Sequence, residues 1–317
     1  MTSNNTPIAI IGGGLSGLYT AYLLQQQGIF STIYEARGHL GGRIVSLPSS
    51  SPSANVDNKA ERYDMGPSWF WPDMHPLMTQ LIEQLNLTAF QQYQTGAHLF
   101  DRGTGNLPQR HEPGIATSPI SMRLTGGMLS LIEGLSEKLP TNAIQLNHQV
   151  MAMSQQPTGE TTLTFNTPNG NIDITAQQTI MALPLRLLPH ITFSPALPEK
   201  VLSHCKNTMT WMAAHAKFVA VYDQPFWRQQ GLSGSASSQT GPLVEVHDAS
   251  ASEGKAALFG FVGVNAAARK AAGRDTLIDI ILNQLASLFG QQAANPTDAF
   301  LLDWSQEKFT ATEQDQV

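Results

Sequence analysis

The hydrophobic pattern changes period twice within the first 35 residues. Pro7-Ile8-Ala9-Ile10-Ile11 is a short apolar run rich in β-branched residues and predicts a strand. Gly12-Gly13-Gly14 ends it. From Leu15 to Gln27 the apolar positions Leu15, Leu18, Tyr22 and Leu23 recur near helical spacing, and Gly28 supplies a helix stop. Ser31 to Glu35 reads as a second short strand. The chain therefore opens on one strand–helix–strand unit.

Farther along, Leu47 to Asn58 is rich in Ser, Pro and Asn without periodicity and reads as an exposed loop. Helices are predicted over Pro76 to Leu87, Met128 to Leu139 and Thr276 to Phe289. The second of these follows Gly126-Gly127 and repeats Leu129, Ile132, Leu135 and Leu139 on one face. Gln149 to Met153, Thr161 to Asn166 and Asn171 to Thr175 predict an antiparallel meander with a turn at Pro168-Asn169-Gly170. Thr179 to Leu183, His215 to Tyr222 and Ala256 to Val264 are three further strands. No internal repeat is visible.

Composition narrows the function classes. With 317 residues, 41 % of them hydrophobic and 13 % charged, the chain has enough apolar material for a sizeable core. The formal charge of −6, with no run of Lys and Arg, argues against nucleic acid. The single cysteine, Cys205, excludes an intramolecular disulfide. Neither a secretory leader nor a segment of membrane-spanning length is visible, so the expectation is a cytoplasmic protein without a membrane segment. No His, Cys, Asp and Glu spacing suits a metal; His111-Glu112 is an isolated pair in a Pro and Gly loop. Gly14-Leu15-Ser16-Gly17 is one residue too short for the hydrolase nucleophile turn.

The chemistry is concentrated at the opening unit. Gly12, Gly14 and Gly17 form G-x-G-x-x-G between a strand and a helix, the setting a dinucleotide site requires. The first glycine permits the turn, the second lets the backbone approach a pyrophosphate, and the third allows close helix–strand packing. The helix start offers free N–H groups and a positive dipole end, and Leu15 and Ser16 lie within it. Glu35, 21 residues after Gly14, places a carboxylate for ribose hydroxyls. An ordinary turn would show the glycines without that register of strand, helix and acid.

After Glu35 the chain reads Ala36-Arg37-Gly38-His39-Leu40-Gly41-Gly42-Arg43. This resembles the E-A-R-x-x-x-G-G-R signature of the flavin-containing amine oxidases, in which the segment wraps the FAD pyrophosphate and ribose. The resemblance continues in order. Asp64-Met65-Gly66-Pro67-Ser68-Trp69 is similar to the family's D-x-G-x-S segment beside the isoalloxazine, with Pro67 where many relatives have glycine. Leu124-Thr125-Gly126-Gly127-Met128 resembles the G-G before the helix that precedes the adenine strand, and Val150 falls where relatives contact adenine through the backbone. Thr179-Ile180-Met181-Ala182-Leu183-Pro184 and Phe193-Ser194-Pro195-Ala196-Leu197-Pro198 resemble two further family elements.

Lys217 precedes Pro225-Phe226-Trp227 within an apolar strand. A lysine there costs desolvation unless something receives its charge. In the family such a lysine hydrogen-bonds through water to flavin N5, which implies a catalytic role for Lys217. The alternative is that Lys217 lies near the strand end and carries its ammonium out to solvent. Trp304 falls where relatives have a tryptophan close to the flavin, and Trp69, beside Gly66, could line a flavin or substrate pocket. Large aromatics also simply fill cores, the expectation for Phe70 and Trp71.

The resemblance implies an α/β fold: a Rossmann-type FAD-binding domain with a central parallel sheet and β-meander, carrying an inserted α+β substrate domain. The expected boundaries are 1–80, 126–206 and 307–317 for the FAD domain, and 81–125 with 207–306 for the substrate domain. It also implies FAD-dependent oxidation of a small-molecule amine by hydride transfer to N5, with O2 reoxidising the flavin and releasing H2O2. A desaturase-like or protoporphyrinogen-oxidase-like activity is the rival within the same class. The family's final glycine-rich segment finds no match after Trp304 and Thr310-Ala311-Thr312. That raises a second expectation, a C-terminally shortened relative with weak FAD binding and poor turnover. The identity of the amine and the oligomeric state are not legible.

Overall fold

The opening apolar run becomes the strand Asn5–Ile11 in the computed structural model, which describes residues 5–48, 59, 61–103, 107–112 and 119–316. Ala9, Ile10 and Ile11 are all buried, which is why the run shows no alternation. The strand pairs in parallel with Thr32–Tyr34 on one side and Gly170–Met181 on the other. The helix Leu15–Gln26 makes the crossover and buries Gly17, Leu18 and Ala21.

By internal packing the chain forms two units. The first comprises Met1–Ile44, Ile132–Ala213 and Glu307–Asp315. Its seven-stranded sheet runs in the order Thr192–Ser194, Gln149–Gln155, Thr161–Thr167, Gly170–Met181, Asn5–Ile11, Thr32–Tyr34, Ile144–Gln145. The meander expected from the sequence is present and antiparallel. Its last member corrects one reading: Asn171 to Thr175 and Thr179 to Leu183 are not two strands but parts of one, Gly170–Met181. The exposed Gln177 and Gln178 interrupt the apolar pattern and hide the join. The strand changes partner midway, antiparallel to Thr161–Thr167 over its first half and parallel to Asn5–Ile11 over its second.

The second unit comprises Val45–Leu131, Ala214–Gln306 and Gln316–Val317. Its seven-stranded sheet runs Asp298–Asp303, Ala216–Tyr222, Ala256–Val262, Leu243–Asp248, Leu232–Ser238, Ala97–Asp101, Gln109–His111. One face packs Phe218, Leu258 and Val262 against Leu277, Ile281 and Leu285 of the helix Arg274–Phe289. The other packs Val219, Val221, Ala257 and Phe259 against Tyr63 and Met65. Tyr63 and Met65 send their side chains into its core, so the described residues of 45–80 cluster in this unit and not the first.

The other expected helices occur at Pro76–Gln84 and Leu129–Glu137. Leu47 and Pro48, read as the start of a loop, instead belong to the strand Ser46–Pro48, which pairs with Arg62–Asp64. Residues 49–58 of that expected loop lie outside the described residues. His111 likewise sits in a strand, exposed and paired opposite His98, because the edge of a sheet tolerates polar side chains on both faces. The strands Leu232–Ser238 and Leu243–Asp248 escaped the sequence reading. The first is largely Ser and Gly, and the second has its alternation broken by a register shift between Leu243 and Glu245.

Candidate functional site

In the first unit the glycine turn is built around three different needs. Gly12 has φ 113, and a Cβ there would stand 2.4 Å from Ala182 O, so only glycine makes this turn. A Cβ at Gly17 would stand 2.0 Å from Gly12 O, so glycine is what lets the helix lie against the strand. Gly14 is unlike both. Its backbone is extended, and a Cβ would meet no protein atom nearer than 4.0 Å. Neither turn nor packing requires glycine at 14; the vacant space suits a ligand that approaches the main chain closely.

The helix Leu15–Gln26 has no side-chain cap at its start, so its first-turn N–H groups and dipole remain available to an anion. Leu15 and Ser16 belong to that turn, and Ser16 is exposed. Glu35 is buried beside it. Its Oε2 accepts the Gly13 N–H at 2.7 Å and its Oε1 accepts the Arg37 N–H at 2.8 Å. A carboxylate accepts about four hydrogen bonds, so both oxygens keep capacity for a hydroxyl donor.

The second glycine pair packs onto the first. Gly41 N–H donates to Gly13 O at 2.9 Å, and Gly14 and Gly41 pair as a parallel bridge. Gly42 follows, with Gly14 Cα 3.4 Å from where its Cβ would be. Arg43 donates to Trp211 O at 2.6 Å. Ala36 is half-buried, and Arg37 reaches the end of the unit, donating to Glu307 and Thr310 at 3.1 Å each with its guanidinium over the Phe309 ring. Val150 lies on the strand Gln149–Gln155 opposite Phe165, two residues after His148, whose N–H donates to Glu35 O at 2.8 Å. These residues of the first unit fit a dinucleotide.

In the second unit Lys217 does not reach solvent; it is 3 % exposed. Its strand presents Lys217, Val219 and Val221 to the face that holds Tyr63, Met65 and Phe259. The ammonium donates to Gly66 O at 3.0 Å and Ser68 Oγ at 2.7 Å, and lies 4.0 Å from the centre of the Phe259 ring. Burial lowers its pKa to about 7, partly offset by Asp64, while Arg123 lowers it further. Trp304, also buried, donates from its indole to Met65 O at 3.1 Å. Lys217 and Trp304, far apart in sequence, thus converge on the segment Met65-Gly66-Pro67-Ser68. Pro67 is its exposed point.

Trp69 takes a packing position, with its indole donating to Gln92 Oε1 at 2.8 Å and its ring against His247 and Phe259. Asp64, quoted in the motif but not among the expected site residues, caps the start of the Leu129–Glu137 helix. Its Oδ1 accepts the Met128 N–H at 2.8 Å and the Ser46 hydroxyl at 2.6 Å. Its buried Oδ2 has no partner among the described residues.

The sequence reading also missed Phe259, Phe261, Glu245 and His247. Register places Phe261 opposite both Lys217 and Glu245, and Phe259 opposite His247. Alternating aromatics within Ala256–Val262 were the available signal. Among the described residues no group of His, Cys, Asp or Glu is arranged to hold a metal ion, and no helix is long and apolar enough to cross a membrane.

A mixed sheet whose parallel strands carry an uncapped glycine turn and an adjacent acid has the architecture of a Rossmann-type dinucleotide-binding fold. The family model of flavin containing amine oxidoreductases matches residues 15–113 and 116–316, and the chain belongs to that family of flavin-dependent oxidoreductases, whose cofactor is FAD. It is 22 % identical to the probable flavin-containing monoamine oxidase A of Dictyostelium discoideum, over 96 % of this chain and 84 % of that one. It is 27 % identical to the putrescine oxidase of Kocuria rosea over 60 % of this chain, which spans 41 % of that relative. Among solved structures, wild-type putrescine oxidase bound to putrescine has the same fold, with a TM-score of 0.80 at 20 % identity over 96 % of this chain and 86 % of that one.

Proposed function

We propose that this protein oxidises a small-molecule amine, with Lys217 as the catalytic side chain and O2 as the final electron acceptor. The observation that supports this is the buried Lys217 ammonium, held on Gly66 and Ser68 and against Phe259. An enclosed lysine whose pKa is lowered to about 7 by burial can exchange a proton near neutral pH, which suits a step that interconverts ammonium and free amine. Only a neutral amine has the lone pair needed to support loss of hydride equivalents from the neighbouring carbon.

FAD, when bound, supplies the two-electron acceptor for this chemistry. On the protein's side, the Gly12–Gly17 turn, the start of the Leu15–Gln26 helix, Glu35 and the Gly41-Gly42-Arg43 turn would hold its dinucleotide part. In the second unit, Met65 to Ser68 and Trp304, gathered around Lys217, would serve the reacting end. The apolar face formed by Phe259, Phe261 and Trp69 would keep bulk water from Lys217.

Relatives named for putrescine and for monoamines leave the amine open, and the second sheet offers a candidate selector. Glu245 lies two strands from Lys217 on the same face, roughly 10 Å away between Cα atoms at ordinary strand spacing. Its carboxylate, paired with His247 at 2.7 Å, suits a second cationic group on the substrate. Anaerobic mixing of the FAD-loaded protein with a panel of mono- and diamines tests the proposal. Bleaching of the flavin by an amine is the expected result; a flavin that stays oxidised with every amine would sink it.

A further inference from the structure

Among the described residues, Lys217 Nζ has three close neighbours of different chemistry. Gly66 O is a carbonyl and can only accept. The Phe259 ring attracts a cation through its π face and offers nothing to a neutral amine's lone pair. Ser68 Oγ, 2.7 Å away and itself 6 % exposed, is the third. A hydroxyl both donates and accepts. It accepts from the ammonium, and by turning its own hydrogen it donates to the lone pair of the neutral amine.

No other described residue beside Nζ offers this. The strands flanking Lys217 place Phe261 and Leu302 directly opposite it. The charged groups that act on it are Asp64 and Arg123, through their fields. One strand beyond the phenylalanines lie Glu245 and His247, which pair with each other. Without Ser68, no described side chain within hydrogen-bond distance of Nζ could donate to the lone pair of the neutral amine, and an unsatisfied buried group is costly.

We propose that Ser68 is the positioning residue of Lys217, holding Nζ in place in both protonation states by reversing the direction of one hydrogen bond. The inference rests on the reading of Lys217 as the catalytic side chain. Its consequence is that the lysine gains and loses a proton without leaving the Gly66–Ser68 segment. The bond to the ammonium is charge-assisted and the stronger of the two directions, so removing the hydroxyl disfavours the cation more than the amine.

The test follows the Lys217 Nζ resonance of 15N-lysine-labelled protein, without amine, through a pH titration, with Lys217→Met to assign it. The wild-type midpoint is expected near the value burial sets, about 7. In Ser68→Ala it is expected to fall by about one pH unit, the scale of one charge-assisted hydrogen bond. Ser68→Thr, which keeps the hydroxyl, is expected to restore it, and the pH profile of amine-driven flavin reduction moves with the midpoint. Ser68→Cys, nearly isosteric but a weak donor and acceptor, gives the same downward shift where Ser68→Ala fails to fold. A midpoint unmoved in the folded Ala or Cys variant overturns the assignment. Wild-type protein that titrates as expected yet oxidises no amine refutes the proposed function and leaves the Ser68–Lys217 coupling standing.

Discussion

Two buried charged side chains, one in each unit, are held by opposite means. Glu35 is satisfied by main-chain N–H groups 22 and 2 residues away in sequence. Lys217 is satisfied by a carbonyl and a hydroxyl 151 and 149 residues away, and by the ring of Phe259. The acid sits in backbone geometry that a short motif produces unaided. The lysine sits in a place that exists only once two distant strands and a loop have packed. A local cradle tolerates side-chain change and fails when its backbone is obstructed; a packed site does the reverse.

Gly17→Ala is the strongest challenge to the local cradle. Its Cβ would fall 2.0 Å from a main-chain oxygen that cannot move without shifting the first strand. A loss of about 3 kcal/mol or more is expected, read by thermal melting together with loss of retained flavin. A stable, yellow Gly17→Ala protein would show that the helix does not need to lie so close.

Lys217→Met attacks the packed site. Amine-driven flavin reduction is expected to fall about a hundredfold, the lower range for a positioned acid–base group. Stability is expected to move the other way with pH. The Lys217 pKa is lowered from 10.5 to about 7, so between those values the unfolded chain holds the extra proton and wild-type stability rises with pH. Below about 7 the full cost of enclosing the ammonium is present. Urea melts are expected to favour Lys217→Met over wild type most at acid pH, the difference shrinking up to pH 10.5. A difference independent of pH would mean that the lysine is not enclosed as a cation.

The closing segment of the first unit separates a buried ion pair from a half-open one. Arg186 pairs with Asp315, whose side chain is 2 % exposed, while Arg37 pairs with Glu307, which is 38 % exposed. Arg186→Ala removes the countercharge of a buried carboxylate that keeps its bonds from Thr210 and Thr312, and is expected to cost about 3 kcal/mol. Glu307→Ala is expected to cost about 1 kcal/mol or less. Equal effects in denaturant melts would contradict the burial that distinguishes them.

The smallest expected stability change is the most diagnostic. Gly14→Ala brings its Cβ no closer than 4.0 Å to any protein atom among its described neighbours, so melting is expected to change by about 0.5 kcal/mol or less. Flavin retention after gel filtration is nevertheless expected to drop, because the added carbon occupies the ligand's approach. Undiminished retention would remove Gly14 from the cofactor cradle.

The sequence by itself determined the opening strand, turn and helix, the acid at residue 35, the meander and the family. Each is a local signal: a change of period, a glycine spacing, a motif within 43 residues. It also singled out Lys217, because a lysine in an apolar strand is anomalous wherever it occurs. Only the tertiary structure decided what Lys217 touches, that Gly170–Met181 is one strand with two partners, and that Tyr63 and Met65 belong to the second core. Those outcomes depend on residues roughly 150 positions apart meeting across a sheet face. No window of sequence holds both sides of such a contact. Glu245 and His247 were illegible for a related reason: the register shift beside Leu243 breaks the alternation, and which face a side chain takes is set by strand pairing.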